Sequence, residues 1–223
     1  MRVAMAAALV CGTLWATPPA LAAPDPCAAL GGLRQAEGLC HVEASTANYT
    51  MDVTYPAGYP DEEAILDYLT ETRDGFVNVS EAGDARNMPH EMKVTAESFE
   101  SASTRSAVLT LFQDIGSAHP TTWYKSFTYD IIRGLPVTLD ALFAADARPM
   151  DAIAPFVQRS LEEQTGLVGS ISPGDARDPS HYQNFAVTDD AVIFFFGRAE
   201  LLPSYAGATS VSVPRNVLPP LRV

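Results

Sequence analysis

From Asn184 to Gly197 the chain reads NFAVTDDAVIFFFG, the most apolar stretch outside its first residues, and it carries its own turn. Phe185 and Val187 alternate with polar neighbours as far as Asp189 and Asp190, and Val192 to Phe196 then follow without a polar break. Two such runs around a turn predict a β-hairpin. An arm that is apolar on both faces has to be covered on both. The second arm is therefore expected in the middle of a sheet layered with helices, not at an edge.

The same reading extends along the chain. Tyr49, Met51, Val53 and Tyr55 alternate with Thr50, Asp52 and Thr54, which predicts a half-buried strand ended by Pro56, Gly58 and Pro60. Asp61 is placed to cap a helix running to about Asn78, with Glu62 and Glu63 in its first turn and Ile65, Leu69, Thr72 and Phe76 as its inner stripe. A polar loop over Ser80 to His90 leads to a strand through Met92, Val94 and Ala96, a turn at Ser101 to Arg105, and a strand from Val108 to Phe112. Trp123, Lys125, Phe127, Tyr129 and Ile131 form the clearest period-two run, and Lys125 interrupts its apolar face. A lysine there packs its stem and sends its ammonium to water or to a carboxylate. Asp140 to Phe143 reads as one helical turn. Met150 to Thr165 reads as a helix with Ile153, Val157 and Leu161 inward, Gly166 as its stop, and Pro155 either near its start or at a kink. Val211 and Val213 mark a last short strand. No repeat or interdomain linker appears, so residues 23–223 are expected to form one α+β domain.

The first residues change where this domain is expected to be found. Arg2, the apolar run Val3 to Trp15 and the Ala20-Leu21-Ala22 site read as a secretory signal peptide, residues 1–22. The run is too short for the roughly 20 residues of a membrane span. The protein is thus expected outside the cell, with no transmembrane anchor after cleavage. Charge excludes one class of partner. With 14 basic against 27 acidic residues the chain is no nucleic-acid binder, and its surplus of acid favours basic partners. Of three cysteines, Cys11 leaves with the signal, so Cys27 and Cys40 form an even pair in an oxidising compartment and are expected to be disulfide-bonded.

Several stretches resemble a known family. HPTTWYKSF (His119 to Phe127), HYQNFAVTDDAVIFFF (His181 to Phe196), AELLPSYAG (Ala199 to Gly207), VPR (Val213 to Arg215) and YPDEEAILDYLTETRDGF (Tyr59 to Phe76) are similar to the mycobacterial secreted immunogenic antigens. Those antigens share a domain with the extracytoplasmic part of the anti-sigma factor RsiV, a lysozyme receptor. The resemblance implies a β-grasp-like α+β fold with an antiparallel sheet packed against helices. It also implies a secreted or cell-wall-associated protein that acts by binding a host or cell-wall partner. Close relatives are described as short-chain carboxylesterases, which gives the alternative function. The chain lacks the cytoplasmic sigma-binding segment of RsiV, so an anti-sigma role does not carry over.

An esterase needs a nucleophile, a base within reach of it, and donors for the oxyanion. The G-x-S-x-G elbow is absent. Ser170 and Ser172 lie in a Gly- and Ser-rich loop whose residues also have turn chemistry to perform. Asp178 and His181 have the Asp-x-x-His spacing that one hydrolase class uses to orient its base, but Asp178 before Pro179 equally suits a helix cap. His119, beside Pro120 between two strands, is the other candidate base, or a histidine that fixes a turn. The four histidines show no metal-ligand spacing, and neither a metal nor a cofactor is expected. Asp189 and Asp190 suit a hairpin turn without any ion. The oligomeric state is not legible in the sequence.

Overall fold

The computed structural model describes residues 25–82, 89–116 and 119–223. The expected signal peptide, residues 1–22, and its cleavage site lie outside the described residues. So does most of the expected polar loop after Ser80.

Seven strands make the larger sheet in chain order: β1 (Leu33–Arg34), β2 (Leu39–Ser45), β3 (Tyr49–Pro56), β4 (His90–Glu100), β5 (Thr104–Asp114), β6 (Thr121–Asp130) and β7 (Leu135–Pro136). Neighbours are antiparallel except β3 and β4, which run parallel because helix α2 (Glu62–Glu81) carries the chain back between them. A second sheet, ordered β10-β9-β8, is built from β8 (Phe185–Val187), β9 (Ala191–Phe196) and β10 (Thr209–Pro214). Two short helices, α1 (Pro26–Ala29) and α3 (Leu139–Leu142), and the longer α4 (Met150–Thr165) complete the framework. The α+β class holds. The division into two sheets and the single parallel pair are what the pattern along the chain did not convey.

Side-chain alternation sets the layers. In β5, Ala107, Leu109 and Leu111 are buried with Ile65, Leu69 and Phe76 of α2, and Val108 points the other way, against Ala186 and Phe195. In β9 the division is the same. Phe195 meets Phe99 and Tyr124 of the large sheet, while Val192, Phe194 and Phe196 share a core with Ile153, Val157 and Leu161 of α4. The order is therefore α2, large sheet, small sheet, α4, and β9 is covered on both faces as its composition demands.

The free edge of β8 is satisfied by the large sheet. The Phe185 amide donates to Ser126 Oγ at 2.8 Å and the Val187 amide to Ser106 Oγ at 3.2 Å, so two hydroxyls take the place of a missing strand. Helix α4 ends as its sequence requires, with Gly166 left-handed at φ 73° and its amide donating to the Glu162 carbonyl. It starts at Met150 and contains Pro155. Asp61, expected as the cap of α2, makes no side-chain bond to the first turn; the Glu62 carboxylate instead reaches back to the Gly58 amide at 2.9 Å. Cys27 and Cys40 are bonded, which ties α1 to β2. Among the described residues no helix is long and apolar enough to cross a membrane.

Candidate functional site

Three segments meet at the outer edge of β6. The loop after β9 is held to it by the Arg198 amide, which donates to the Thr122 carbonyl at 2.8 Å, while the Arg198 guanidinium donates to the carbonyls of Pro120 and Ser204. Two strand positions beyond Tyr124, the Ser126 amide donates to Asn184 Oδ1 at 3.0 Å, which anchors the segment leading into β8. Gly197 lets the two backbones approach closely there, since a Cβ would come 3.3 Å from the Trp123 backbone, a tight contact. Ala199 follows in the left-handed region at φ 66°, a conformation that costs a residue with a side chain roughly 1–2 kcal/mol. Such strain persists only where the surroundings impose it.

This turn presents Glu200 to His181. Nδ1 of His181 lies 3.9 Å from Glu200 Oε1, ion-pairing distance and longer than a hydrogen bond, and both side chains are a quarter exposed. The second carboxylate oxygen accepts the Gly197 amide at 2.6 Å, which fixes the group. Burial pushes the Glu200 carboxyl up from the ordinary glutamate range, while the Gly197 amide and His181 pull it part of the way back. A carboxylate held behind one ring nitrogen leaves the other free to take a proton, the arrangement of an acid–base pair.

Of the candidates read in the sequence, the fold gathers His181 here and brings the His119-Pro120 turn to the same edge through Arg198. His119 itself is exposed. The others go elsewhere. Ser172 donates to Asp175 Oδ2 at 2.8 Å and accepts the Asp175 amide at the entry to a 3-10 turn, and Ser170 is exposed in the loop before it. Asp178 caps the 3-10 turn Pro179–Tyr182 by accepting the Ser180 amide, and that amide holds its carboxyl below the usual aspartate range, with His181 adding to the effect. Asp189 accepts the Ala102 amide and so ties the hairpin turn to the β4–β5 turn.

Sequence reasoning missed Glu200, although an acid inside FFFGRAELL is a signal of its own. It also missed a serine–histidine contact, Ser80 Oγ to His90 Nδ1 at 3.0 Å. Both residues are at most 1% exposed, so that pair is closed to a substrate. Of the two outlets expected for Lys125, the carboxylate is not met among the described residues; the half-buried side chain carries its ammonium over the rings of Tyr68 and Phe127. No three His, Cys, Asp or Glu side chains gather into a metal site among the described residues.

The layered α+β architecture is that of a solved DUF3298 family protein from Pseudomonas aeruginosa PAO1, which superposes with a TM-score of 0.56 at 12% identity over 82% of this chain and 96% of that one. Residues 140–216 match the family described as a protein of unknown function, DUF3298. Over its full length the chain is 47% identical to Esterase Rv3036c of Mycobacterium tuberculosis, all of which it covers. It is 40% identical to the immunogenic protein MPT64 of the same species over 80% of each chain. The chain belongs to this mycobacterial family.

Proposed function

We propose that this protein is an exported hydrolase of short-chain acyl esters in which His181 is the general base and Glu200 stands behind it. The observation that supports this reading is the His181–Glu200 pair on a strained, tied-down turn, and the full-length similarity to a protein named as an esterase agrees with it. In this reading Nε2 of His181 takes a proton from a water as its oxygen bonds to the ester carbonyl carbon. The imidazolium, stabilised by Glu200, then returns that proton to the departing alkoxide as the acyl C–O bond breaks. Residues 1–22 are removed as a signal peptide. Residues 23–223 are released as one domain, of the type that RsiV carries outside the membrane.

Hydrolysis of 4-nitrophenyl acetate and butyrate by residues 23–223 tests this. His181→Gln should lower kcat/KM by about 10²-fold or more with the unfolding midpoint unchanged. Glu200→Gln should lower it by about tenfold, since the ring loses its orienting charge. Full turnover by folded His181→Gln would remove the base from the mechanism. A wild-type rate no higher than that of free imidazole would remove the enzyme.

One observation favours a second reading, a secreted protein that works by binding a host or cell-wall partner. No hydroxyl or thiol side chain is bonded to His181 among the described residues, so none of them serves the pair as a nucleophile there. Similarity to immunogenic proteins is in keeping with that reading.

A further inference from the structure

Lys125 sits in a cleft of about 370 Å³ where the start of α2, the outer edge of β6 and the segment after β7 come together. Tyr59, Phe127, Val137 and Phe185 give it apolar walls, and Asp61 stands on its rim. The ammonium is 5.4 Å from the centroid of the Tyr68 ring and 5.5 Å from that of Phe127. Aromatic faces hold a cation in place without neutralising it. In a chain with 27 acidic residues against 14 basic ones a surface lysine finds a carboxylate easily, yet among the described residues Lys125 has none within ion-pairing distance. Asp61 shares the cleft and is not paired with it. Among the described residues no strand pairs with this edge of β6 before Tyr129; Arg198 meets it at Thr122 and Asn184 at Ser126, and Lys125 to Thr128 line the cleft. The Thr128 carbonyl on that edge accepts the Val137 amide, which places the Thr128 N–H on the same side as a second donor.

We infer that this cleft binds a small monocarboxylate with an apolar body, its carboxylate on Lys125 and its body against Phe127, Tyr59, Val137 and Phe185. One cation with an opposing aspartate suits a single negative charge and disfavours a phosphate dianion, which Asp61 would repel. The apolar walls call for an acyl chain or a bulky side chain next to the carboxylate. A free aliphatic acid and the C-terminus of a peptide both present that chemistry. The inference stands whether or not the protein hydrolyses esters.

Titration of residues 23–223 with hexanoate and with N-acetyl-leucine tests it, with hexanamide as the neutral control. Trp123 is the reporter: its indole N–H donates to Tyr68 OH at 2.8 Å, and the Tyr68 ring lies beneath Lys125. The indole NMR resonance should shift with a dissociation constant of order 1 mM or tighter for at least one acid. The tighter of the two identifies the source of the carboxylate. Lys125→Met, which keeps the stem and removes the charge, should weaken binding about tenfold or more. Asp61→Asn should tighten it by about two- to threefold, because it removes the repelling charge. Equal binding of hexanamide, unchanged binding by a folded Lys125→Met protein, or no shift with either acid at concentrations about tenfold above that constant would each overturn the assignment.

Discussion

Strands β9 and β6 lie in adjacent layers, and both stand out as runs of large residues, but the fold treats them in opposite ways. In β9 every residue but Ile193 is buried, and each face meets a different apolar layer. In β6 only Thr128 and Asp130 are buried, and polar groups occupy both faces: Lys125 toward α2, Ser126 and Thr128 toward β8. An all-apolar strand can only add to the core. A strand that alternates ring, cation and hydroxyl can pack and still leave polar atoms at its edge for other work. Stability should therefore reside in β9 and recognition along β6.

The largest expected effect is at Phe194. It is fully buried, with the ring of Tyr182 at 5.4 Å and that of Phe185 at 6.3 Å. Phe194→Ala should cost on the order of 3–5 kcal/mol, read as a lower denaturant midpoint at unchanged slope. A loss below about 1 kcal/mol would mean that β9 is no more committed to the core than β6, and the contrast would collapse.

How much of this contrast could be read beforehand follows from which signals are local. The hairpin turn, the bounds of α4 and its Gly166 stop, and the period of β6 were legible because a few consecutive residues fix each of them. Strand β2 was not read: LCHVEAS has only Leu39, Val42 and Ala44 as apolar markers besides the cysteine, and its alternation is partial. The parallel pairing of β3 with β4 depends on residues about 40 apart, and no local pattern records it. The candidate site divides in the same way. His181 could be named from the chain, but its partner Glu200 belongs to the far side of the hairpin, and only the Gly197 turn brings them together. Lys125 was visible as an interruption. That it would rest on Tyr68 required the tertiary packing of α2 against β6.

A middling effect is expected at Ser126, where β6 supports β8. Its hydroxyl accepts the Phe185 amide at 2.8 Å, and Ser126→Ala leaves that N–H without its partner beside a buried ring. An orphaned buried donor costs about 1–3 kcal/mol. Hydrogen exchange should locate the change, with faster exchange at Phe185 and little at Phe194. Uniform acceleration across β9 would show that the two strands do not behave as separate units.

The smallest expected effect lies at the end of β6 and sharpens the comparison through pH. Asp130 is buried; one carboxylate oxygen accepts the amides of Ile132 and Arg133 at 2.9 and 2.8 Å, and the other meets the Arg133 guanidinium. The Arg133 amide above all, with the Arg133 side chain and the Ile132 amide, holds its carboxyl below the usual aspartate range against the opposing pull of burial. A group whose folded pKa is depressed contributes stability that is present above its unfolded pKa, about 3.9, and is lost as pH falls through the folded value. Asp130→Asn keeps an acceptor for the two amides and removes the charge. Arg133 is 42% exposed, so solvent screens the pair and the substitution should cost only about 0.5–1 kcal/mol at neutral pH. That difference should persist down to about pH 5 and then shrink as the wild-type carboxyl takes up its proton. Nothing in β9 titrates, so Phe194→Ala should keep its deficit across the same range. Denaturant midpoints of the three proteins, followed from pH 7 downward, separate the cases. Parallel curves for wild type and Asp130→Asn would mean that the charge at the end of β6 contributes nothing and that its turn is held by the neutral acceptor alone.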